Sequence, residues 1–269
     1  MMDTTFETIT LKNDEMPVML VTGSAKRIGA AIIQAAHYQG YRVIIHCRQS
    51  VQQAQALAAK LNTAREHSAT VIAADLSLIN DVDLLEQFVQ KIIHAFGRLD
   101  VLVHNASRFY PTPLSTIDHN HWDELFLSNA KAPLFLSQAL LPYLKRYQGC
   151  IISLLDIHAQ DKPFKHYTVY NMAKAAHQML VQSLALEAAP DVRVNGIAPG
   201  VNILPDNSSD QAIDHQQQRR IINSIPMQRI GTPEDIAHTV LFLAKASYIT
   251  GEVINVDGGR RLTLAGGSD

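Results

Sequence analysis

From Pro17 onward the chain alternates short, apolar, β-branched runs with longer segments of helical period, and no other feature restricts its fold so tightly. The short runs are VMLVTG (18–23), YRVIIH (41–46), ATVIAAD (69–75), LDVLVHN (99–105), CIISLL (150–155), VRVNGIAPG (192–200) and EVINVDGG (252–259). They read as seven strands, and stretches such as RIGAAIIQAAHYQ and NDVDLLEQFVQKIIHAF, apolar at three- and four-residue spacing, read as helices. Strands separated by helices are joined by crossovers, which predicts an α/β domain of three layers: a seven-stranded parallel sheet with helices on both faces.

Local punctuation agrees with that pattern. Gly40 and Gly97 follow helical runs as capping glycines, and Thr232-Pro233-Glu234-Asp235 supplies an N-cap, a proline at the first helical position and early acids, which predicts a helix over 233–245. A chain of 269 residues accommodates one large domain, expected over 17–269, with 1–16 as a disordered tail. Residues 202–218 are polar and glutamine-rich, and are either a surface loop or part of a substrate flap over about 201–222.

With 47% hydrophobic and 18% charged residues the composition is that of a soluble globular protein, and a net charge of -2 offers no electrostatic basis for binding nucleic acid. No apolar run approaches the ~20 residues that span a bilayer, and the N-terminal stretch lacks a signal-type h-region, so the expected location is the cytoplasm. Cys47 and Cys150 lie in apolar strand segments and read as small core side chains.

The first strand leads directly into Thr22-Gly23-Ser24-Ala25-Lys26-Arg27-Ile28-Gly29 at the start of a helix. A glycine turn there lets backbone N–H groups and the helix N-terminus meet a pyrophosphate, although Gly23 and Gly29 equally suit a tight turn and close packing. The second strand ends at His46-Cys47-Arg48-Gln49-Ser50, with no acid to hold a ribose 2′-hydroxyl as NAD would require. Arg48 and Ser50, with Arg27 near, suit a 2′-phosphate instead, so NADPH is the expected cofactor; the competing reading of Arg48 is a solvated surface charge. Asp75-Leu76 and Asn105-Ala106 close the third and fourth strands at the same sheet edge, placed to touch the adenine and its ribose.

Tyr170-Asn171-Met172-Ala173-Lys174 sets a tyrosine and a lysine one helical turn apart. An ammonium beside a phenol lowers the phenol's pKa toward the working range, so Tyr170 can pass a proton while a hydride arrives from a nicotinamide; a surface pair is the bland alternative.

The combination of TGxxxRxG at 22–29, Asn105-Ala106, Asn129, YxxxK at 170–174 and Pro199-Gly200 resembles the short-chain dehydrogenase/reductase family over residues 17 to about 262. The resemblance implies a Rossmann-type sheet, Tyr170 as proton donor, Lys174 on the nicotinamide ribose, Asn129 ordering a proton-relay water, and a homotetramer. It also brings Gly23, Ile28, His46, Pro199 and Gly200 to the cofactor. Arg27, where most members carry glycine, and Asp156, near the place of the usual catalytic serine, resemble the pteridine reductase branch, as do the stretches Asn105 to Pro113 and Asp156-Ile157-His158-Ala159. In that branch the resemblance implies a pterin sandwiched between the nicotinamide and Phe109, with Ser107 and Arg27 contacting pterin and cofactor phosphates.

The chemistry is consistent with that implication. A pterin is flat, suited to stacking on Phe109 and to hydrogen bonds from Ser107 and Tyr170, and reducing its C=N bond needs hydride at carbon and a proton at nitrogen. Asp156, with its pKa raised by burial, would feed that proton through Tyr170 or water; otherwise it is a strand-end acid bonded to local backbone. Fourteen positions separate Asp156 from Tyr170, one more than the branch implies, with Asp161-Lys162 as the insertion. His158 and His166 flank the site without a third ligand at metal spacing. The expected activity is NADPH-dependent reduction of a dihydropterin (dihydrobiopterin, dihydromonapterin or dihydrofolate). A carbonyl or 3-oxoacyl reductase of the same fold, and a non-catalytic NADP-sensing binding protein, are the alternatives.

Overall fold

The computed structural model describes residues 16–202 and 214–263. All but the last residue of the expected N-terminal tail, and 203–213 of the expected flap, lie outside the described residues. Each predicted run delivers one strand: β1 (Val18–Val21), β2 (Arg42–Cys47), β3 (Ala69–Ala73), β4 (Val101–His104), β5 (Cys150–Leu154), β6 (Arg193–Pro199) and β7 (Val253–Val256). All pair in parallel, in the order β3-β2-β1-β4-β5-β6-β7. The strand order reverses between β1 and β4, and that reversal opens a crevice at the strands' C-terminal ends, where a ligand has room.

The helices are α1 (Arg27–Tyr38), α2 (Val51–Ala64), α3 (Val82–Phe96), α4 (His119–Phe126), α5 (Ala132–Arg146), α6 (Thr168–Ala188), α7 (His215–Asn223), α8 (Pro233–Lys245) and the short α9 (Arg260–Thr263). Successive strand residues point to opposite faces, so each strand feeds two cores. Met19, Val21, Val43 and Ile45 pack with Ile32 and Ile33 of α1 and with Ile236 and Val240 of α8. Val18, Leu20, Ile44 and Leu102 pack with Ile92 of α3, Leu136 and Leu140 of α5 and Val181 of α6. Truncating one such fully buried side chain to alanine costs about 2–5 kcal/mol.

The caps form where the sequence sets them. Thr232 Oγ1 accepts from Asp235 N at 3.2 Å while Asp235 Oδ2 accepts from Thr232 N at 2.8 Å, which starts α8 one residue after the threonine. Gly97 ends α3 at φ 75°, and Gly40 takes φ 92° just beyond α1. Between α4 and α5 the chain makes a π turn over Leu127–Lys131, which the sequence pattern did not announce. Asn129 sits in that turn and is buried.

Candidate active site

A cavity of about 920 Å³ runs along the C-terminal ends of the strands, from Gly23 and Arg48 to Tyr170 and Arg260. At its β1 end the loop after the strand is held almost entirely by hydrogen bonds within the protein. Thr22 Oγ1 accepts from the backbone N–H groups of Asn105 and Ala106, both at 3.0 Å. Asn105 Nδ2 donates to the carbonyls of Thr22 and Gly23, both at 2.8 Å. That amide group, expected at the adenine and its ribose, therefore has both hydrogens engaged in fastening β4 to the first loop. Gly23 takes φ 62°, and a Cβ there would lie 3.0 Å from Ala106 Cα. A Cβ on Gly29 would lie 2.6 Å from Ser24 Cα and 2.7 Å from Asn105 Nδ2. Both glycines thus serve the tight turn and close packing, and by doing so leave the helix N-terminus open to the crevice.

His46 is built into the same frame. Its Nδ1 accepts from Gly23 N at 3.1 Å and its Nε2 donates to Ala74 O at 3.1 Å, so it links three strand ends as a neutral ring. Burial pushes its pKa down to about 4, against the opposing effects of the Ala74 carbonyl and Asp75. Arg27 opens α1 at φ 52°, the left-handed region that favours glycine and costs other residues about 1–2 kcal/mol. That conformation explains why a glycine is expected at this position, and the arginine side chain lines the cavity in its place.

The exposed groups of this end are cationic and polar. Arg48 Nη1 lies 3.6 Å from Asp75 Oδ2, and Asp75 also caps a 3-10 turn over Leu76–Asn80 by accepting from Ser77 N at 2.9 Å. That hydrogen bond, ahead of the charge of Arg48, holds the Asp75 carboxyl below the usual range. A smaller cavity of about 220 Å³ adjoins the first and is lined by Lys26, Arg48 and Ser50 together with Gly23. Gly200, at the end of β6, also lines the main cavity, with its N–H bonded to Val256 O at 3.0 Å. A loop pinned open at a helix N-terminus, beside a pocket with two cations, fits a phosphate-bearing dinucleotide.

The β5 end is aromatic and buried. Tyr170 Oη donates to Asp156 Oδ2 at 2.8 Å, so the extra residue between them does not carry the acid away from the phenol. Asp156 Oδ1 accepts from His158 N at 2.8 Å, capping a 3-10 turn over Ile157–Ala159, and His158 Nδ1 donates to Lys162 O at 2.7 Å. The Asp161-Lys162 bulge is thereby tied back to the turn. Lys174 is buried and its Nζ donates to Leu154 O at 2.7 Å.

The balance of charge differs from the one that YxxxK predicts. Tyr170 is raised well above the ordinary phenol range, first by burial and then by the Asp156 carboxylate and its hydrogen bond. Lys174 Nζ stands 6.0 Å from the Tyr170 ring centre, and its own pKa is pushed down to about 8 by burial. The phenol is therefore held protonated, against the expectation that the lysine would lower it.

Phe109 is half-exposed and lines the cavity. One of its faces stacks on Tyr167 (4.6 Å between ring centres, 17° between planes), and Tyr170 meets it edge-on at 4.8 Å. Phe164 closes the group at 5.8 Å from Phe109 and stacks on His158. Ser107 Oγ donates to Asn129 Oδ1 at 2.7 Å, and Asn129 Nδ2 donates to the carbonyls of Arg108 and Leu125 at 2.9 and 3.0 Å. Asn129 is thus a brace between the π turn and the loop carrying Ser107 and Phe109. Phe164, Tyr167 and Arg260 at this end, and Lys26 at the β1 end, were not singled out from the sequence; a position three residues before Tyr170, on the same helical face, is the signal that finds Tyr167. Among the described residues no group of three or more His, Cys, Asp or Glu could hold a metal ion, and no helix is long and apolar enough to cross a membrane.

Fold and site together define a dinucleotide-binding α/β enzyme. Residues 23–261 match a family model described as enoyl-(acyl carrier protein) reductase. The chain is 38% identical to pteridine reductase 1 of Leishmania tarentolae, over 93% of this chain and 98% of that protein. It is 34% identical to the granaticin polyketide synthase putative ketoacyl reductase 2 of Streptomyces violaceoruber, over 92% and 97%. With a 3-oxoacyl-(acyl-carrier-protein) reductase of Staphylococcus aureus it shares 31% identity, over 89% and 96%. The chain belongs to the short-chain dehydrogenase/reductase family and is an oxidoreductase that uses a nicotinamide cofactor.

Proposed function

We propose that the protein reduces dihydropterins to tetrahydropterins with NADPH. The observation that carries this reading is the 2.8 Å hydrogen bond between Tyr170 Oη and Asp156 Oδ2, beside the half-exposed ring of Phe109. A carboxyl group at the phenol suits reduction of a ring C=N bond, because the product nitrogen needs a proton and a carboxyl group can relay one from solvent. The identity of 38% to a pteridine reductase supports the same choice.

In this reading Tyr170 and Asp156 act in series. The phenol proton goes to the substrate nitrogen, and a proton reaching Asp156 from solvent restores the phenol across the existing hydrogen bond. When bound, the nicotinamide supplies the hydride. Lys174, anchored on Leu154 O, keeps an ammonium beneath the site and orients the nicotinamide ribose. Phe109, backed on one face by Tyr167, offers its other face to a flat heterocycle. Ser107 keeps acceptor lone pairs on its hydroxyl while its proton is held by Asn129.

For the cofactor, Arg48, Ser50 and Lys26 around the smaller cavity suit a 2′-phosphate, which supports NADPH over NADH. A cytoplasmic homotetramer completes the proposal; Met172 and Met179, seven residues apart on α6 and exposed, suit burial against another copy.

The deciding experiment is NADPH oxidation with dihydrobiopterin set against a panel of ketones and 3-oxoacyl thioesters. We expect turnover of the pterin at a kcat/KM at least about tenfold above any ketone. Turnover confined to the carbonyl substrates would transfer the protein to the ketoacyl reductase reading, which the similarity to two such enzymes keeps as the rival.

A further inference from the structure

Arg260 brings to the cleft a cation that none of the roles above employs. It opens α9 just past β7, and its backbone is fixed by Asp257. Arg260 N donates to Asp257 O at 3.1 Å, and the Asp257 carboxylate accepts from the N–H groups of Gly259 and Arg261 at 2.9 and 2.6 Å. Gly258 and Gly259 take φ 63° and 84°, and a Cβ on Gly258 would lie 2.8 Å from Ile225 Cγ2. The turn is therefore wedged in place with the Arg260 side chain lining the cavity.

Two of its guanidinium nitrogens, Nε and Nη1, are buried with no hydrogen-bond partner among the described residues. The carboxylates that feel its charge are occupied elsewhere: Asp156 with Tyr170 and His158, Asp257 with its own turn. Burial lowers the pKa of Arg260 from its ordinary value, yet a guanidinium remains charged in a protein. A desolvated guanidinium with N–H groups left unmet attracts an anion, and a carboxylate accepts such charge-assisted hydrogen bonds. A monoanion also suits it better than a phosphate dianion, whose second charge would lie near Asp156 and Asp257.

Strand order fixes where such a group lies. Asp156 follows β5, Arg260 follows β7, and Gly23 and Arg48 follow β1 and β2 on the opposite side. Two strand spacings put the backbone of the Arg260 turn about 10 Å sideways from the end of β5, away from the nucleotide, while its side chain reaches back into the same cavity, near enough for Asp156 to feel its charge. An anion held there is carried by a substituent beside the reacting ring.

We propose that Arg260 is a specificity residue that binds a carboxylate on the tail of the substrate, so that pterins with an acidic tail are preferred to those with a neutral hydroxylated tail. The inference rests on the pterin reading and deepens it. Its test compares KM for dihydrofolate and dihydrobiopterin, with NADPH, in the native enzyme and in Arg260→Met and Arg260→Lys. The KM ratio of dihydrofolate to dihydrobiopterin should rise about 10- to 100-fold in Arg260→Met, with a smaller rise in Arg260→Lys, which keeps the charge and controls for folding. An unchanged ratio in both variants would overturn the assignment. In parallel, p-aminobenzoylglutamate, the acidic half without the pterin, is added to the NADPH-loaded protein and thermal protection is read. Should neither pterin turn over, the pterin reading falls, while protection of the native protein but not of Arg260→Met keeps the carboxylate subsite. Equal protection of both, or none, removes it.

Discussion

At the β1–β3 end of the cleft, Thr22, Asn105 and His46 are bonded to the backbone of neighbouring loops, whereas at the β5–β7 end the central hydrogen bond joins two side chains, Tyr170 and Asp156. Thr22, Asn105 and His46 give their hydrogen bonds to neighbouring loops and shape a surface of backbone N–H groups and exposed cations. Tyr170 is bonded to Asp156, Lys174 lies buried near them on Leu154 O, and Arg260 reaches the same cavity with two nitrogens unmatched. The first end is a frame of hydrogen bonds closed within the protein. The second holds Tyr170 and Lys174, whose pKa values burial shifts away from their ordinary ranges, as is common at sites of proton transfer.

The contrast is broken most directly at Tyr170. Tyr170→Phe keeps the ring against Phe109 and removes only the hydroxyl, so kcat should fall about 10²- to 10⁴-fold, the usual worth of a positioned proton donor, with NADPH affinity little changed. Steady-state kinetics with fluorescence titration of NADPH checks this, and a kcat near the native value would move the proton donor elsewhere. At the other end, Arg48→Ala should weaken NADPH binding about 10- to 100-fold, as loss of a charge-assisted contact does, and NADH binding by less than about threefold. Equal losses for both cofactors would mean that Arg48 is a solvated charge paired with Asp75.

These two ends also differ in how far the sequence discloses them. The seven strands, α8 and the glycine turn were legible, because each is written in contiguous residues whose period or punctuation has one physical meaning. Gly23 and Gly29 read from the sequence as a turn open to a phosphate or as close packing; a Cβ on Gly29 would lie 2.6 Å from Ser24 Cα, so packing by itself requires glycine there. What stayed hidden is long-range. The engagement of Asn105 by Thr22 and Gly23 spans more than eighty positions, and the closeness of Arg260 to Asp156 depends on the order of β5, β6 and β7. The helical spacing of Tyr170 and Lys174 was read correctly as a shared face, but spacing carries no information on burial or on Asp156. Burial and Asp156 together raise the phenol, where the lysine alone would lower it.

Lys174 offers a smaller and sharper test of that charge balance. It is buried, with one hydrogen bond to Leu154 O, and its pKa is depressed to about 8, below the ordinary value that it regains on unfolding. Between those two values the unfolded chain binds more protons than the folded one, so stability rises with pH across the window. Cys150, pushed up to about 11 by burial, works in the opposite sense above its ordinary value near 9, because there the folded state keeps a proton that the unfolded state has lost. Tyr170, also raised, acts in that sense only at still higher pH. Cys47, raised by burial as well, joins Cys150 in opposing Lys174 as the pH nears 9, so the lower part of the interval from pH 8 to 9 reports Lys174 most clearly. We expect the protein to gain roughly 0.5 kcal/mol across it in urea unfolding, and Lys174→Met to lose that rise while gaining stability at pH 7. The same titration should appear as an alkaline fall in kcat/KM beginning near pH 8, since that constant reports the free enzyme. If stability is flat over this interval, or if the variant keeps the slope, then the ammonium is not penalised by burial. Its contribution would then be packing alone, and the division between a closed frame and a titratable centre would fail at the residue where it is most exposed to measurement.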